Sequence, residues 1–255
     1  MIKFFNKDSI ISAKESFQKA PSGFRYGFIP NLFKEEVYEK LTDTFPDVRT
    51  FKLLEKMRGG SRKRFYHGPV YDTDRWGGCV CHLESLPVIW KDVLEEAHSP
   101  ELISLLREST GIDFNSLSHF GFTFGDEGCM QEPHIDGAVR ENPDSIKSPI
   151  ACLMYLNKSP EGSSGTCIYD VDAKTILFKV SDLRNSMLFF EQHVDAWHGF
   201  PTVLPGEERR LVSVAYNKEK KPIKIQDSLV HKIFCVSGLK YRIRQRLGRS
   251  SPGRV

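Results

Sequence analysis

The spacing of hydrophobic and polar residues divides the chain into a helical first part and a β-rich second part. Up to about residue 118, the stretch FIPNLFKEEVYEKLTDTF carries the clearest helical pattern. Its apolar residues recur at the intervals that line one helix face, at Leu32, Phe33, Val37, Leu41 and Phe45. Asn31 is the expected N-cap of this helix. Two more helices are predicted over Pro87–Ala97 and Pro100–Ser109, the second with Ser99 as its cap and Pro100 in its first turn.

Short β-rich segments separated by turn-forming residues follow from about residue 119. They are HFGFTFGD, residues 130–136, SPIACLMYLN, GTCIYD, TILFKV, SMLFFE, AWHGF and RRLVSVAYN. Short strands at such even spacing are typical of a sandwich or a jelly roll. The predicted fold class is therefore α+β, with helices flanking a double-stranded β-helix (jelly-roll) core. We expect a single domain with a mainly helical region at 1–118, the jelly-roll core at 119–217 and a C-terminal extension at 218–255.

The composition is that of an ordinary soluble globular protein, because the 255 residues are 40% hydrophobic and 27% charged. The composition disfavours collagen-like and disordered chains, and no apolar run approaches the roughly 18 residues of a membrane-spanning helix. The first residues, MIKFFNKDSII, lack the apolar stretch of a secretion signal. Several of the six cysteines lie in apolar runs, and Cys79 and Cys81 lack a second pair at zinc-site spacing. A reducing, cytoplasmic location is the expectation.

The net charge of +3 is unevenly distributed along the chain. Residues 240–255 contain no acidic residue and six basic ones, Lys240, Arg242, Arg244, Arg246, Arg249 and Arg254. Removing these six from the 36 basic residues leaves 30 against 33 acidic residues, so the body of the protein is slightly acidic. A nucleic-acid-binding domain carries a basic surface on its folded body. We therefore expect no nucleic-acid partner, although the basic tail has the charge to contact an anionic surface.

Candidate metal ligands come from the pattern His-x-Asp/Glu, because residues two apart on a strand point to the same face. Eight histidines and 33 acidic residues among 255 predict about one chance match. The chain contains three such pairs, His82/Glu84, His134/Asp136 and His193/Asp195. Only His134/Asp136 lies at the end of a predicted strand before a polar loop and is followed in a later strand by His198. Two histidines and one carboxylate leave three positions of an octahedral ion open, the arrangement of non-haem Fe(II) oxygenases.

An arginine shortly after His198 strengthens this choice. The segment Glu208-Arg209-Arg210-Leu211 opens the next predicted strand, and an arginine there can hold a distant carboxylate in a bidentate pair. His82 and His193 lack this continuation. A surface residue or a helix cap is the better interpretation of each, and a place at the rim of the site stays open as the alternative for His193.

This part of the chain resembles the 2-oxoglutarate- and Fe(II)-dependent dioxygenases, and within them the prolyl-4-hydroxylase-like branch. The resemblance covers roughly residues 119–217, with a weaker similarity at FIPNLFKEEVYEKL. Four ordered pieces carry it: PHID, CLMYLNK, FFEQHVDAWHGF and ERRLVSVAY. It implies a cupin-like jelly roll that uses Fe(II), 2-oxoglutarate and O2, with ascorbate as an optional reductant.

The resemblance also implies roles for individual residues. His134, Asp136 and His198 resemble the iron ligands. Arg209 resembles the residue that pairs with the C5 carboxylate of 2-oxoglutarate, and Arg210 is the alternative, since strand alternation lets only one of the two face inward. The implied reaction is hydroxylation of an unactivated C–H bond, or a related desaturation, with decarboxylation of 2-oxoglutarate to succinate and CO2.

Three further positions belong to the cosubstrate pocket by the same resemblance. Tyr155 looks like the tyrosine whose hydroxyl also reaches the C5 carboxylate. Cys167 falls where relatives often have an aliphatic wall residue, and Phe124 falls where some relatives have a tyrosine.

The substrate is less well defined than the chemistry. The segment MRGGSRKRFYHGP combines glycines with clustered cations and is a candidate loop for an anionic substrate. The candidate substrate residues are Arg58, Arg62, Arg64, Tyr66, His67 and, before the last ligand, Trp197. Residues 138–148, beside the metal pair, are a candidate lid.

Four hypotheses about function remain open at this point. We favour hydroxylation of a small-molecule, sugar or lipid-linked substrate, because the sequence has no evident peptide-docking module. The same chemistry on a protein side chain, as in prolyl hydroxylation, is the alternative. A non-catalytic jelly-roll binding module and a zinc hydrolase with the same ligands are the remaining two.

Overall fold

The helices are short and lie mostly before residue 118. A computed structural model describes residues 2–57, 61–66, 70–72, 79–80, 86–136, 139, 146 and 148–219. The helices in this part of the chain are α1 (Lys7–Ser12), α2 (Glu35–Asp43), α3 (Val88–Ala97) and α4 (Pro100–Thr110), with 3-10 turns at Ala13–Ser16 and Val48–Thr50. None of these helices has the length and apolar character needed to cross a lipid bilayer.

The strands pair antiparallel throughout the described residues. They are β1 (Gln18–Lys19), β2 (Arg25–Ile29), β3 (Phe51–Met57), β4 (Ser61–Tyr66), β5 (Tyr71–Asp72), β6 (Cys79–Val80), β7 (Ser116–Gly125), β8 (Gln131–His134), β9 (Ile150–Tyr155), β10 (Cys167–Tyr169), β11 (Ile176–Lys179), β12 (Ser186–Glu191), β13 (His198–Phe200) and β14 (Arg209–Asn217).

Two sheets form the core. The large sheet has the order β1-β2-β12-β9-β14-β7-β4-β3, with β5 and β6 attached beside β7, and the small sheet has the order β11-β10-β13-β8. From β7 onward the chain passes repeatedly between the large and the small sheet. This is the double-stranded β-helix that the sequence predicts, and its fold class is confirmed.

The two faces of the large sheet are buried against different partners. On the outer face, helix α3 packs Trp90 against Phe122 of β7, with ring centroids 4.7 Å apart. The inner face points to the small sheet, where the ring of Phe178 lies 5.9 Å from Tyr26 and 6.2 Å from Phe28. Burying one such aromatic side chain stabilises the fold by roughly 1.5–3 kcal/mol. Both faces are thus covered, and the space between the sheets is available for a site.

The helices agree with the sequence prediction except at the start of α2. Ser99 caps α4, its Oγ accepting from the N–H of Leu102 at 3.2 Å, and the helix ends at Gly111, whose φ is +64°. The N-cap prediction for Asn31 was wrong, because α2 begins only at Glu35. Asn31 has a φ of +49°, and the following N–H of Leu32 donates to the carbonyl of Asn185 at 2.8 Å. That contact ties the segment to the start of β12 and delays the helix.

All eight strands predicted after residue 119 are present, and SMLFFE and RRLVSVAYN have the predicted bounds. The first part is less helical than expected, since β2, β3 and β4 extend the large sheet. β2 is buried at consecutive positions, as Tyr26 and Gly27 are both buried. A strand that is buried on both faces lacks the alternation by which strands are recognised in a sequence.

Candidate functional site

Two histidines from separate strands meet in the small sheet. His134 is the last residue of β8 and His198 is the first of β13, and the antiparallel ladder makes them direct partners. Their ring centroids are 4.2 Å apart. The fold therefore brings together two residues that are far apart in the sequence.

Asp136 completes the group from the segment just after β8. Its Oδ1 lies 3.8 Å from Nε2 of His134 and 3.7 Å from Nε2 of His198. The three ligand atoms lie within 4.8 Å of one another. An octahedral ion with bonds of about 2.1 Å holds neighbouring ligand atoms roughly 3 Å apart, so a small contraction would place one ion among them. Two imidazoles and one carboxylate suit Fe(II), and the group could bind it.

Backbone carbonyls orient both imidazoles for metal binding. Nδ1 of His134 lies 3.0 Å from the carbonyl of Glu132, and Nδ1 of His198 lies 3.0 Å from that of Ala196. A carbonyl accepts only, so each Nδ1 carries the proton and each Nε2 presents its lone pair. The amide nitrogen of Gln131 lies 2.9 Å from Nε2 of His134 and can donate to that lone pair. A metal ion would take the place of this hydrogen bond.

Strand β12 and the residue that follows it contact two of these three side chains. The ring of Phe190 lies 4.5 Å from the ring of His198. The side-chain amide of Gln192, the first residue after β12, donates to Oδ2 of Asp136 at 2.6 Å. The sequence patterns pointed to neither residue, because both act across the fold and belong to no ligand motif.

A buried arginine stands at the start of β14. Arg209 is 4% exposed. Its Nε donates to the carbonyl of Ser164 at 3.0 Å, and its Nη2 donates to Oγ1 of Thr166 at 2.8 Å. The guanidinium carbon also lies 4.1 Å above the ring of Phe200. These contacts fix the direction of the guanidinium group.

Tyr155 and Thr166 extend this polar group. The hydroxyl of Tyr155 donates to Oγ1 of Thr166 at 2.5 Å. Oγ1 of Thr166 thus accepts from both Tyr155 and Arg209, which leaves its own proton to donate to another acceptor. Arg209 and Thr166 therefore keep protons to donate side by side, with Tyr155 orienting Thr166, as a carboxylate site requires.

The charge of Arg209 is not compensated by a carboxylate within the described residues, where it forms no ion pair. Burial lowers the pKa of Arg209, because removal from water disfavours the cation. A buried cation without a negatively charged partner raises the free energy of the folded protein. An anionic ligand at this position would lower that free energy.

Arg210 lies on the other face of β14. Its Nε is 2.8 Å from Oε1 of Glu208, and its guanidinium carbon lies 5.5 Å above the ring of Phe45. The two arginines thus have different environments, and Arg209 is the one beside Tyr155.

Phe124, to which the resemblance gives a cosubstrate role, lies on the outer face of the large sheet. Phe124 is the ladder partner of Arg210, and its ring packs 6.0 Å from Phe51 on the outer face. Thr123, the partner of Leu211, occupies the inner face instead. Thr123 is 5% exposed, and its Oγ1 has no hydrogen-bond partner in the described part of the chain. A buried hydroxyl of this kind is an unused polar contact facing the space between the sheets.

Cys167, to which the resemblance also gives a cosubstrate role, faces away from His198. In β10, Ile168 is the ladder partner of His198, so its neighbour Cys167 faces the opposite side of the small sheet. There Cys167 is paired with Lys179 in the ladder and lies beside Tyr169. Burial raises the pKa of the Cys167 thiol. Thr166, on the same face as Ile168, is the residue of this segment that reaches Arg209.

Comparison with known proteins identifies the fold. Neither a protein-family model nor a curated protein matches the chain. Among solved structures, a prolyl-4-hydroxylase from Pseudomonas putida matches 84% of this chain and 99% of its own, with a TM-score of 0.55 and 11% identity. A 2OG-Fe(II) oxygenase family oxidoreductase from Burkholderia pseudomallei matches 76% of this chain and 86% of its own, with a TM-score of 0.54 and 13% identity. This chain has the 2-oxoglutarate/Fe(II) oxygenase fold.

A third match has the same oxygenase fold. It is a prolyl hydroxylase from Trichoplax adhaerens in complex with a hypoxia inducible factor oxygen degradation domain peptide fragment. The match covers 83% of this chain and 89% of the other, with a TM-score of 0.53 and 13% identity.

The structure describes some of the other predicted residues and leaves the rest outside the described part of the chain. Trp197 is half-buried, and its carbonyl accepts from the N–H of Tyr169 at 2.9 Å. Nδ1 of His193 lies 3.5 Å from Oδ2 of Asp195. This alternative His-x-Asp pair, called the rival pair below, is a separate surface contact. Outside the described residues are Arg58, His67, His82, Glu84, the side chains of Arg62, Arg64 and Tyr66, most of 138–148 and the basic tail.

Proposed function

We propose that this protein is an Fe(II)- and 2-oxoglutarate-dependent dioxygenase that hydroxylates an unactivated C–H bond. The observation that carries the proposal is the convergence of His134, Asp136 and His198, with Oδ1 of Asp136 within 3.8 Å of both imidazole Nε2 atoms. His134, Asp136 and His198 would hold the iron. When bound, the iron with 2-oxoglutarate and O2 supplies an oxidant for C–H bonds, while the cosubstrate becomes succinate and CO2.

The second support is a carboxylate site in the same barrel. Arg209 is buried, and its Nε and Nη2 are held by Ser164 and Thr166. A guanidinium fixed in this way would bind the far carboxylate of 2-oxoglutarate by charge-assisted hydrogen bonds. Hydrolysis at a zinc ion does not require a carboxylate-binding arginine of this kind. A non-catalytic binding module does not require a ligand group that leaves three metal positions open.

The chain's own residues orient the ligand and exclude water. Leu188 and Ile168 are fully buried between the two sheets and form an apolar wall. In such surroundings the attraction between Arg209 and a carboxylate is stronger than in water. The same enclosure keeps water from competing with the substrate C–H bond.

For the substrate, we propose a small-molecule, sugar or lipid-linked compound. Hydroxylation of a prolyl side chain in a protein is the alternative, and it agrees equally well with the fold. One neighbour in fold is a prolyl hydroxylase in complex with a peptide fragment. The two are separated by measuring succinate formation with a deproteinised metabolite extract and, in parallel, with proline-containing peptides. Stimulation by the extract alone supports a small molecule, whereas stimulation by peptides alone supports the prolyl alternative.

The reaction class is tested by incubating the protein with Fe(II), ascorbate, O2 and 2-oxoglutarate and measuring succinate. We expect slow turnover without substrate that is abolished in His134→Ala and retained in His193→Ala, the matched histidine of the rival pair. Failure to form succinate, together with failure to bind 2-oxoglutarate in the presence of Mn(II), would contradict the proposal.

A further inference from the structure

Gln192 contacts the carboxylate of the candidate metal group. It lies directly after β12, is 8% exposed, and its side-chain amide donates to Oδ2 of Asp136 at 2.6 Å. The other oxygen, Oδ1, is the one that faces Nε2 of His134 and His198, at 3.8 and 3.7 Å. The two oxygens of one carboxylate therefore have separate partners.

Asp136 needs a fixed orientation if it is to act as a ligand through one oxygen. The residue follows the end of β8, and its side chain is 43% exposed. A carboxylate in such a position can rotate about its χ2 bond, which is a broad torsion. A hydrogen bond to Oδ2 selects the rotation in which Oδ1 points at the two imidazoles.

Gln192 is itself held in place by the fold. Its backbone N–H donates to the carbonyl of Pro149 at 2.9 Å. The preceding residue, Glu191, pairs with Arg25 of β2 at 3.3 Å. Phe190 lies two residues before Gln192, and its ring packs 4.5 Å from that of His198. The end of β12 is thus anchored, and it supports His198 and Asp136 together.

The chemistry of an amide suits this position. A glutamine donates a hydrogen bond without adding charge, so Asp136 keeps its full negative charge for a metal ion. A cation would compete with the metal for that charge, and a carboxylate would repel Asp136. Residues that hydrogen-bond to a metal ligand commonly contribute to metal affinity, and their loss typically weakens metal binding by about 10- to 100-fold.

We propose that Gln192 is a positioning residue that holds Asp136 as a one-oxygen metal ligand. The inference rests on the proposed function, because it assumes that the His134, Asp136 and His198 group binds a metal. In this role Gln192 acts through Asp136 and is not itself a ligand.

The test compares Gln192→Leu with Gln18→Leu by measuring the dissociation constant of Mn(II), without 2-oxoglutarate or turnover. Gln18 lies on edge strand β1, where its Oε1 accepts from the hydroxyl of Tyr26 at 2.8 Å, so its loss also removes one glutamine hydrogen bond. We expect Gln192→Leu to weaken Mn(II) binding about 10-fold and Gln18→Leu to leave it unchanged. The unfolding midpoints of the two variants in chelator should agree, because the effect lies in metal binding. If Gln192→Leu does not fold, Gln192→Met, which keeps the length and loses the amide, takes its place.

The outcomes separate the inference from the proposed function. Mn(II) binding by Gln192→Leu as tight as that of the unaltered protein would overturn the role of Gln192 and leave the metal site intact. An unaltered protein that binds no Mn(II) would overturn the proposed function and this inference with it. Weaker Mn(II) binding by Gln192→Leu, at an unchanged Mn(II) affinity of Gln18→Leu, supports the positioning role.

Discussion

Arg209 and Arg210 are adjacent in the sequence and lie on opposite faces of β14. Arg209 is 4% exposed and holds Thr166 at 2.8 Å, on the side of Tyr155. Arg210 pairs with Glu208 at 2.8 Å, on the side of the helices. Two neighbouring cations thus provide an internal comparison, since only one of them can reach a ligand between the sheets.

Arg209→Ala should weaken binding of 2-oxoglutarate to the Mn(II)-loaded protein by at least 30-fold, because about 2 kcal/mol of charge-assisted hydrogen bonding is lost. Calorimetric titration with 2-oxoglutarate measures this change. Arg210→Ala is the matched control, and its affinity should stay within about twofold of the unaltered protein. The opposite ranking of the two variants would show that the cosubstrate lies on the other face.

Asp136→Ala should abolish most of the metal affinity, because it removes the only anionic member of the candidate group. The dissociation constant for Mn(II) should rise by about 100-fold or more, while the unfolding transition in chelator changes little, since the side chain is 43% exposed. Asp195→Ala changes the carboxylate of the rival pair and should leave the Mn(II) affinity unaltered. Equal losses in both variants would mean that the ligands were assigned to the wrong pair.

His98 makes the stability of the protein sensitive to acid. It follows α3, and burial lowers its pKa to about 4. The unfolded chain takes up a proton near the ordinary histidine pKa of about 6.5, and the folded chain takes it up only near pH 4. Stability is therefore full above about pH 6.5 and falls by about 3 kcal/mol as the pH drops to 4.

Urea unfolding in chelator, at a series of pH values, measures this loss. His98→Asn should flatten the dependence between pH 6.5 and 4, whereas His193→Asn, at a more exposed histidine, should retain it. A steep loss that persists in His98→Asn would assign the acid sensitivity to other groups.

The sequence predicted most of the β core because its strands carry local information. SMLFFE and RRLVSVAYN are bounded by turn residues, and both bounds agree with the structure. The ligand group was also accessible, because His134 and Asp136 form a motif and His198 recurs in the expected order. β2 was missed, because it is buried on both faces and shows no alternation.

Contacts between side chains on different strands could not be predicted from the sequence patterns. Gln192 bonds to Asp136 over a separation of 56 residues, and no spacing rule links them. Phe124 and Cys167, predicted from the resemblance alone, face away from the space between the sheets, because neighbouring residues on a strand point to opposite faces. Their neighbours Thr123 and Thr166 face that space instead.

Thr123 tests which face of the large sheet the cosubstrate occupies. Its hydroxyl is buried on the inner face, as the ladder partner of Leu211, and lacks a hydrogen-bond partner among the described residues. Thr123→Val replaces it by a methyl group of similar size. If 2-oxoglutarate occupies the space between Arg209 and the ligand group, the variant should bind it about 10-fold more weakly, the value of one hydrogen bond to a charged group. The stability of the ligand-free protein should be unchanged or slightly higher, because a buried unpaired hydroxyl is removed.

Two control variants accompany Thr123→Val. Thr123→Ser keeps the hydroxyl and should keep the affinity for 2-oxoglutarate. Phe124→Leu changes a side chain on the outer face and should also leave that affinity unchanged. An unchanged affinity in Thr123→Val would mean that this hydroxyl does not contact the cosubstrate.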